Sequence, residues 1–420
     1  MTSYARLNST WKRWCQGWQY IDWLLVLVPV LLTTFASLVI ASTQINLDAT
    51  ILGWNHLILG AIGVGVMLWL ARVRYEFYLD WQWPIYFLIN GSLLAVMFIG
   101  TSGLGAQSWI NIFGFYVQPS EFAKVGLIIT LAAQLRGPHA NTLASVMKTL
   151  AIAAVPWALI FVQPDLGTSL VFGAITVGML YWANVNPGWL VLMISPLMAA
   201  IVFYFSIPLW LVWSIGMGLI AWFTLPWRLL TTVVATAVNL VSGKLGEVFW
   251  GFLKDHQKDR LVLFLDPDKD PLGGGYHLIQ SRIAIGAGQL WGRGLHQGTQ
   301  TQLNFIPEQH TDFIFSAVGE EWGFVGAIAV LAAYWLICLR LVLIAQGAKD
   351  NFGSLLAIGV FSMVLFQVMV SVGMTIGLAP ITGIPLPWMS YGRSALLTNF
   401  IALGIVESVA NYRHRLKFSD

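Results

Sequence analysis

Residues 276–321 read YHLIQSRIAIGAGQLWGRGLHQGTQTQLNFIPEQHTDFIFSAVGEE. The stretch is polar and punctuated by glycine, and its basic and imidazole side chains precede an acidic cluster. At its far end Asp312 stands directly before the apolar run FIF, so a carboxylate sits at the edge of a hydrocarbon segment. Charge at such a boundary is expensive to place and marks a functional site by default. The fold is decided by what lies on either side, because this stretch interrupts a chain that is otherwise greasy.

Of the 420 residues, 57% are hydrophobic and only 10% charged, against about 25% charged in a soluble domain. Mean hydropathy is +0.73. Apolar runs of membrane-spanning length occupy 21–42, 54–71, 83–100, 122–135, 145–161, 167–183, 189–206, 208–225, 229–252, 313–339, 355–378 and 391–409. The chain thus reads as an all-α, polytopic integral membrane bundle of about 10–12 helices. No strands are expected, because lipid admits only helices or closed barrels and no period-2 alternation is visible. Residues 1–420 form one transmembrane domain, with a long extracytoplasmic loop over 254–311 and atypical extra hydrophobic helices over 189–252. The first run exceeds the about 7–15 apolar residues of a cleaved leader, so it reads as an anchor.

Lys12, Arg13, Arg72, Arg74, Arg136, Lys148, Arg228, Arg340, Lys349, Arg413, Arg415 and Lys417 flank the spans. Alternation puts every short basic loop on one side, together with both termini, and the positive-inside rule makes that side cytoplasmic. The opposite face receives 101–120, the turn at 163–167, the long loop and 379–390. Cys15 and Cys338 build neither a disulfide framework nor a thiolate metal site. There is no GxxxxGK[ST], no HExxH and no Cys/His metal spacing, which excludes ATP hydrolysis by a phosphate loop.

Each polar residue has a structural and a functional reading. Asp312 either caps the helix after it or acts as a base, with Glu308, His310, Arg260, Arg282 and Arg293 in the same loop. Glu320 and Glu321 cannot both face lipid, so at least one should meet a polar cavity or a cation. The small residues Ser316, Gly319 and Gly323 form a stripe that suits tight helix packing. Tyr276, Ile279, Ile283 and Ala287 recur at helical spacing opposite His277, Gln280 and Arg282, the pattern of a helix flat on the membrane or packed on its own bundle. Glu121 and Lys124 are spaced to pair on one helix face. Asp165 and Thr168 flank the break at Pro164 and Gly167, where turn chemistry accounts for most of the pattern. Prolines 380, 385 and 387 stiffen the loop carrying Ser390, and Arg393, near the start of the next helix, calls for an anionic partner.

PLGGG followed by the opening stretch and WGF, together with QPSEFAK, VQPDLGTSL and IPLPWMSYG, closely resembles the SEDS family (shape, elongation, division, sporulation), its elongation branch more than its division branch. The resemblance implies a peptidoglycan glycosyltransferase of the bacterial inner membrane that polymerises lipid II into glycan strands at the outer face. It also implies a class B penicillin-binding protein and other elongation-complex membrane proteins as partners, and no nucleic acid. The family's essential acid falls on Asp312, its outer-loop tryptophan on Trp109, and its QPSE/K motif on Glu121 and Lys124. Substrate contacts are then expected from Trp109, Glu121, Lys124, Arg260, Gln280, Arg282, Arg293, Glu308 and His310, with Asp165, Thr168, Glu320, Glu321 and Ser390 behind them. The chain departs from the family at Ser108, usually basic, at Arg393, usually glycine, and in having more than ten spans.

A diphosphate leaving group needs positive charge rather than a proton, so one carboxylate acting as general base suffices for an inverting displacement. The charge would come from Lys124, Arg260, Arg282 or Arg293, with or without a divalent ion such as Mg or Mn. Two rivals remain: a lipid II flippase with a broken helix at 164–167, and a scaffold for which Asp312 is dispensable.

Overall fold

In this computed structural model the description covers residue 18 and residues 20–413, apart from 44–46, 104–105, 113, 139, 164, 253–257, 259–262, 265–269, 271–274, 304 and 307. The path runs through α1 (Trp23–Ser42), α2 (Leu47–Leu70) and α3 (Gln82–Ile99) into a small sheet of β1 (Thr101–Gly103), β2 (Ala106–Ile112) and β3 (Phe115–Val117). There follow α4 (Pro119–Leu135), α5 (Leu143–Val162), α6 (Leu166–Trp182), α7 (Pro187–Phe205), α8 (Ile207–Thr224) and α9 (Arg228–Phe252). Then come α10 (Tyr276–Ala287), the short α11 (Thr299–Gln302), α12 (Ile314–Gln346), α13 (Asn351–Ile376) and α14 (Arg393–Tyr412). Among the described residues ten helices are long and apolar enough to cross a membrane. The 17-residue α4 and α6 run between them and are about 25 Å long.

Helix ends follow local chemistry. Asp22, Thr142, Asp165 and Asp350 each accept a bond from the backbone N–H three residues on, which satisfies one of the orphan donors of a first turn. Prolines open α4, α7 and α8, where a missing N–H costs nothing. Gly377, at φ +81°, ends α13, and the next N–H returns to Gly373 O at 2.7 Å, as a left-handed C-terminal turn requires.

The bundle centres on α4, α13 and α14, whose side chains are mostly buried. The start of α1, the end of α14 and the basic loops at 72–74 and 136 gather at one end. Tyr412 Oη donates to Arg72 O at 2.7 Å, Asn351 Nδ2 donates to Arg136 O at 3.2 Å, and Asp22 pairs with Arg340. Helices α7–α9 pack chiefly on one another at the edge of the bundle, around Ala221, Leu225 and Ala235.

Three features differ from the sequence expectation. Strands do occur, in the loop between α3 and α4, as an antiparallel sheet of order β1-β2-β3. Water rather than lipid sets the rules for such a loop, and β-forming residues flank a tight turn there. Gly114, at φ +85°, makes that turn and donates its N–H to Asn111 Oδ1 at 2.8 Å.

Helix α10 packs on α12 and α13 through Leu278, Ser281 and Ala284. Ile283, expected on the apolar face, is exposed. The seam instead forms around Ser281, whose Oγ donates to Thr375 O at 2.7 Å and lies 2.6 Å from Ser316 Oγ.

Helix α12 is broken at Gly323 (φ +64°, ψ −162°). Residues 289–294 fill the break: Phe324 and Val325 donate to Gln289 O and Leu290 O at 2.9 and 3.1 Å, and Arg293 and Gly294 donate to Glu320 O and Glu321 O at 2.9 and 3.0 Å. Irregular backbone at membrane depth is tolerable only when other protein groups satisfy it in this way. The small residues of the stripe therefore admit a second backbone segment, not only a second helix. A β-carbon on Gly292 would fall 2.1 Å from Glu321 O, and one on Gly288 would fall 1.9 Å from Gly319 O.

Candidate active site

Asp312 lies in the tight turn 308–313 that leads into α12, with Phe313 N donating to Glu308 O at 3.3 Å. The N-cap residue of α12 is Phe313, and no side chain caps it. Asp312 thus stands one residue before that N-cap. Its carboxylate is half-buried and faces the loop 377–392, with Oδ2 3.6 Å from the place a β-carbon would take on Gly383 (φ +71°).

That loop is held on several sides. His56 Nε2 lies 3.3 Å from Trp388 O, Tyr334 Oη donates to Pro387 O, and Tyr391 N donates to His310 O at 2.9 Å. Ser390 Oγ accepts from Leu386 N at 2.8 Å, so Ser390 shapes the loop from within. A β-carbon on Gly167 would fall 2.5 Å from Thr382 O, so the loop also lies tight against the start of α6. His56 and Tyr334 were not singled out from sequence. A histidine in the greasy run 54–71 was the available signal, since polar residues inside spans are rarely idle.

The same end of the bundle gathers the other motifs. Gln118 Nε2 donates to Asp165 Oδ2 at 3.3 Å, Asp165 Oδ1 accepts from Thr168 N at 3.0 Å, and Gln118 N donates to Ser394 Oγ at 2.9 Å. These bonds tie together the starts of α4, α6 and α14. One turn deeper, Lys124 Nζ meets Glu121 Oε2 at 2.7 Å, with the two side chains 1% and 2% exposed. Lys124, one of four cations that could supply charge to the diphosphate, has its ammonium enclosed, and it pairs with Glu121 as the i, i+3 spacing allows. Removing a pair from water is tolerated when both partners are present and becomes costly when one is lost. Trp109 is half-buried on β2, paired in register with Thr101, and Ser108 beside it is buried.

On the long-loop side Arg282 is exposed and lies along the last turn of α13: its Cδ and Nε are 3.5 and 3.8 Å from the β-carbon position of Gly377. Gln280 is half-buried on α10. Arg293 braces its own loop, donating to Ala287 O at 3.3 Å and to Thr299 Oγ1 at 2.9 Å. Arg260 lies outside the described residues. Glu308 is exposed, with Oε2 accepting from Thr311 Oγ1 at 2.9 Å. Burial holds the imidazoles of His277 and His310 below the ordinary histidine value, against the opposing pull of Glu308, so both are neutral at pH 7.

Neither Glu320 nor Glu321 faces lipid: both are buried against polar donors, and among the described residues neither forms an ion pair. Glu320 accepts the N–H groups of Gln300 and Thr301, each at 2.9 Å, at the start of α11. Glu321 accepts the hydroxyl of Ser42. Both clamp the loop to α12 and α1, because helix-start amides and a hydroxyl supply the donors that buried carboxylates need.

Two cavities, of ≈ 780 and ≈ 310 Å³, are lined by residues near the basic end, and Asp312 lines neither. Among the described residues no group of three or more His, Cys, Asp or Glu converges as metal donors.

Comparison with known proteins agrees with this layout. The Cell cycle protein family of FtsW, RodA and SpoVE matches residues 18–213 and 189–415. The peptidoglycan glycosyltransferase RodA of Treponema pallidum is 35% identical, over 94% of this chain and 98% of its own. The peptidoglycan glycosyltransferase MrdB of Escherichia coli K12 is 33% identical over the whole of both chains. Among solved structures, a chain from a study of polymerization and crosslinking by a peptidoglycan synthase complex superposes with a TM-score of 0.71 at 25% identity, covering 95% of this chain and 100% of that one. The rod shape determining protein RodA of Thermus thermophilus shares the fold, with a TM-score of 0.62 at 22% identity over 95% and 99%.

Proposed function

Because the chain belongs to the FtsW, RodA and SpoVE family, the SEDS proteins, we propose that Asp312 is the general base of its glycosyl transfer. The protein is a peptidoglycan glycosyltransferase, and its likeness to RodA and MrdB fits a role in cell elongation. The substrate is lipid II. One observation carries the choice of base: Asp312, just before the start of α12, holds its carboxylate against a loop pinned from four directions.

The chemistry follows from charge. An acceptor sugar hydroxyl must lose its proton as it attacks, and Asp312 takes that proton. The anomeric carbon inverts, and its bond to the diphosphate oxygen breaks. Negative charge then grows on the departing lipid diphosphate, which an exposed guanidinium stabilises. Arg282 is the exposed cation assigned to this, since its side chain lies along Gly377, at the start of the loop whose Gly383 faces Asp312. Rigid placement of base and cation supplies the orientation that makes a displacement fast. Lys124 acts from within, fixing Glu121 and the start of α4.

Mg or Mn fits this end only in the mode where phosphate oxygens and waters supply most of the ligands. Glu308 is the exposed carboxylate beside Asp312 in the chain that would complete it. On the positive-inside rule the basic end, where α1 starts and α14 stops, is cytoplasmic, which leaves Asp312 at the outer face. A class B penicillin-binding protein crosslinks the strands made there, in line with the synthase complex of the structural relative.

Purified protein given labelled lipid II, with and without the transpeptidase, tests the reading. Glycan polymer supports it; translocation of lipid II across vesicles without polymer supports a transporter instead.

A further inference from the structure

An apolar groove of ≈ 310 Å³ separates the core helix α5 from the peripheral helices α7 and α9. Its walls are side chains such as Val146, Leu150, Leu192, Leu230 and Val234, with Trp227 at the mouth and Asn239 at the inner end. The mouth is at the basic end of the bundle, because α5, α7 and α9 all begin there. A hydrocarbon-lined void of this size does not stay empty in a membrane, since unfilled packing forfeits dispersion contacts along both walls.

Two dimensions select the occupant. From Trp227 to Asn239 the groove runs twelve residues along α9, about 18 Å at about 1.5 Å per residue. That is little more than half of the roughly 30 Å hydrocarbon core, so the groove serves one leaflet and closes near mid-membrane. The closure is polar: Asn239 Nδ2 donates to Ser195 Oγ at 3.0 Å, and Trp213 Nε1 donates to Asn239 Oδ1 at 3.2 Å. A partner's spanning helix, about 10–12 Å across, needs a face of full membrane depth and far more volume, whereas flexible acyl chains fit both limits. Charge selects the headgroup. Arg228 is exposed between the wall residues Trp227 and Leu230, Lys148 is exposed one residue after the wall residue Met147, and no acidic residue lies between 143 and 150 or between 225 and 239. Basic openings between spanning helices at a cytoplasmic surface are places where anionic headgroups settle.

We infer that this groove binds the acyl chains of an anionic phospholipid of the leaflet at the basic end, with Arg228 and Lys148 holding its phosphate, and that the lipid joins α7–α9 to the core. The test is native mass spectrometry of delipidated full-length protein titrated with phosphatidylglycerol or with phosphatidylcholine of the same chains. One phosphatidylglycerol per chain should be retained at about a tenth of the concentration that phosphatidylcholine needs. The exposed-site double variant Arg228→Gln/Lys148→Gln should abolish that preference, and Val234→Phe, which narrows the groove, should remove the site for both lipids. Equal retention of the two lipids, a preference unchanged in the double variant, or a dimer that Val234→Phe disrupts would overturn the inference.

Discussion

The Oδ2 atom of Asp312 lies 3.6 Å from the position of a β-carbon on Gly383, a residue whose φ of +71° already favours glycine. The base and the proline-rich loop are therefore in contact across a gap that has no side chain of its own. Gly383→Val strains the loop and crowds the carboxylate. Polymerisation by this variant should fall by about 10–100-fold, the usual penalty for shifting a catalytic group by about an ångström. Strain at φ +71° should also lower stability by about 1–3 kcal/mol, so rates are compared below the melting transition of the variant, where both proteins are folded.

The enclosed pair Glu121–Lys124 makes a different prediction. Lys124→Met leaves a buried carboxylate without its partner and should destabilise the protein by about 3–5 kcal/mol. The double variant Glu121→Leu/Lys124→Met removes both charges and should regain most of that loss in a denaturation experiment. If Lys124 instead contacts the diphosphate, the double variant will be stable and inactive.

The loop that plugs the break in α12 leaves no room for a β-carbon at Gly288 or Gly292. Gly292→Ala, also strained by φ +84°, should cost at least about 1–3 kcal/mol through overpacking. Amide exchange over 288–325 should accelerate more than exchange in α14, because bonds shared between the loop and α12 are lost first.

His277 and His310 have lowered proton affinity in the folded protein. Below the unfolded value of about 6.5 the unfolded chain binds more protons than the folded one, so stability rises with pH through that window and is lost as pH falls. Melting temperature should therefore drop between about pH 7 and pH 5. His310→Gln should flatten part of that slope.

Much of this was legible in the residues. The twelve apolar runs coincide with helices to within a few positions, except that α2 and α12 extend further, because hydrocarbon thickness imposes both length and polarity. Asp312 stood out because a carboxylate at a span boundary is costly to place, although capping and catalysis were both open readings there. The strands at 101–117 were hidden, since β1 and β3 span three residues each and the seven of β2, AQSWINI, show no clean alternation. The break at Gly323 was hidden too: small residues look the same whether they admit a helix or a loop. Lys124 and Arg282 exchange emphasis for a related reason. Pairing at i, i+3 shows that Glu121 and Lys124 can meet, but only the packed bundle shows that water is excluded from them.

The central claim is that Asp312 removes the proton of the attacking hydroxyl. Its most direct test is the initial rate of glycan polymerisation from labelled lipid II by purified Asp312→Asn, reconstituted with the transpeptidase and matched to the wild type for fold by melting curve. The account predicts a folded, membrane-inserted protein whose rate falls by at least about 100-fold, the lower range for loss of a general base. Polymer formed at the wild-type rate would contradict it.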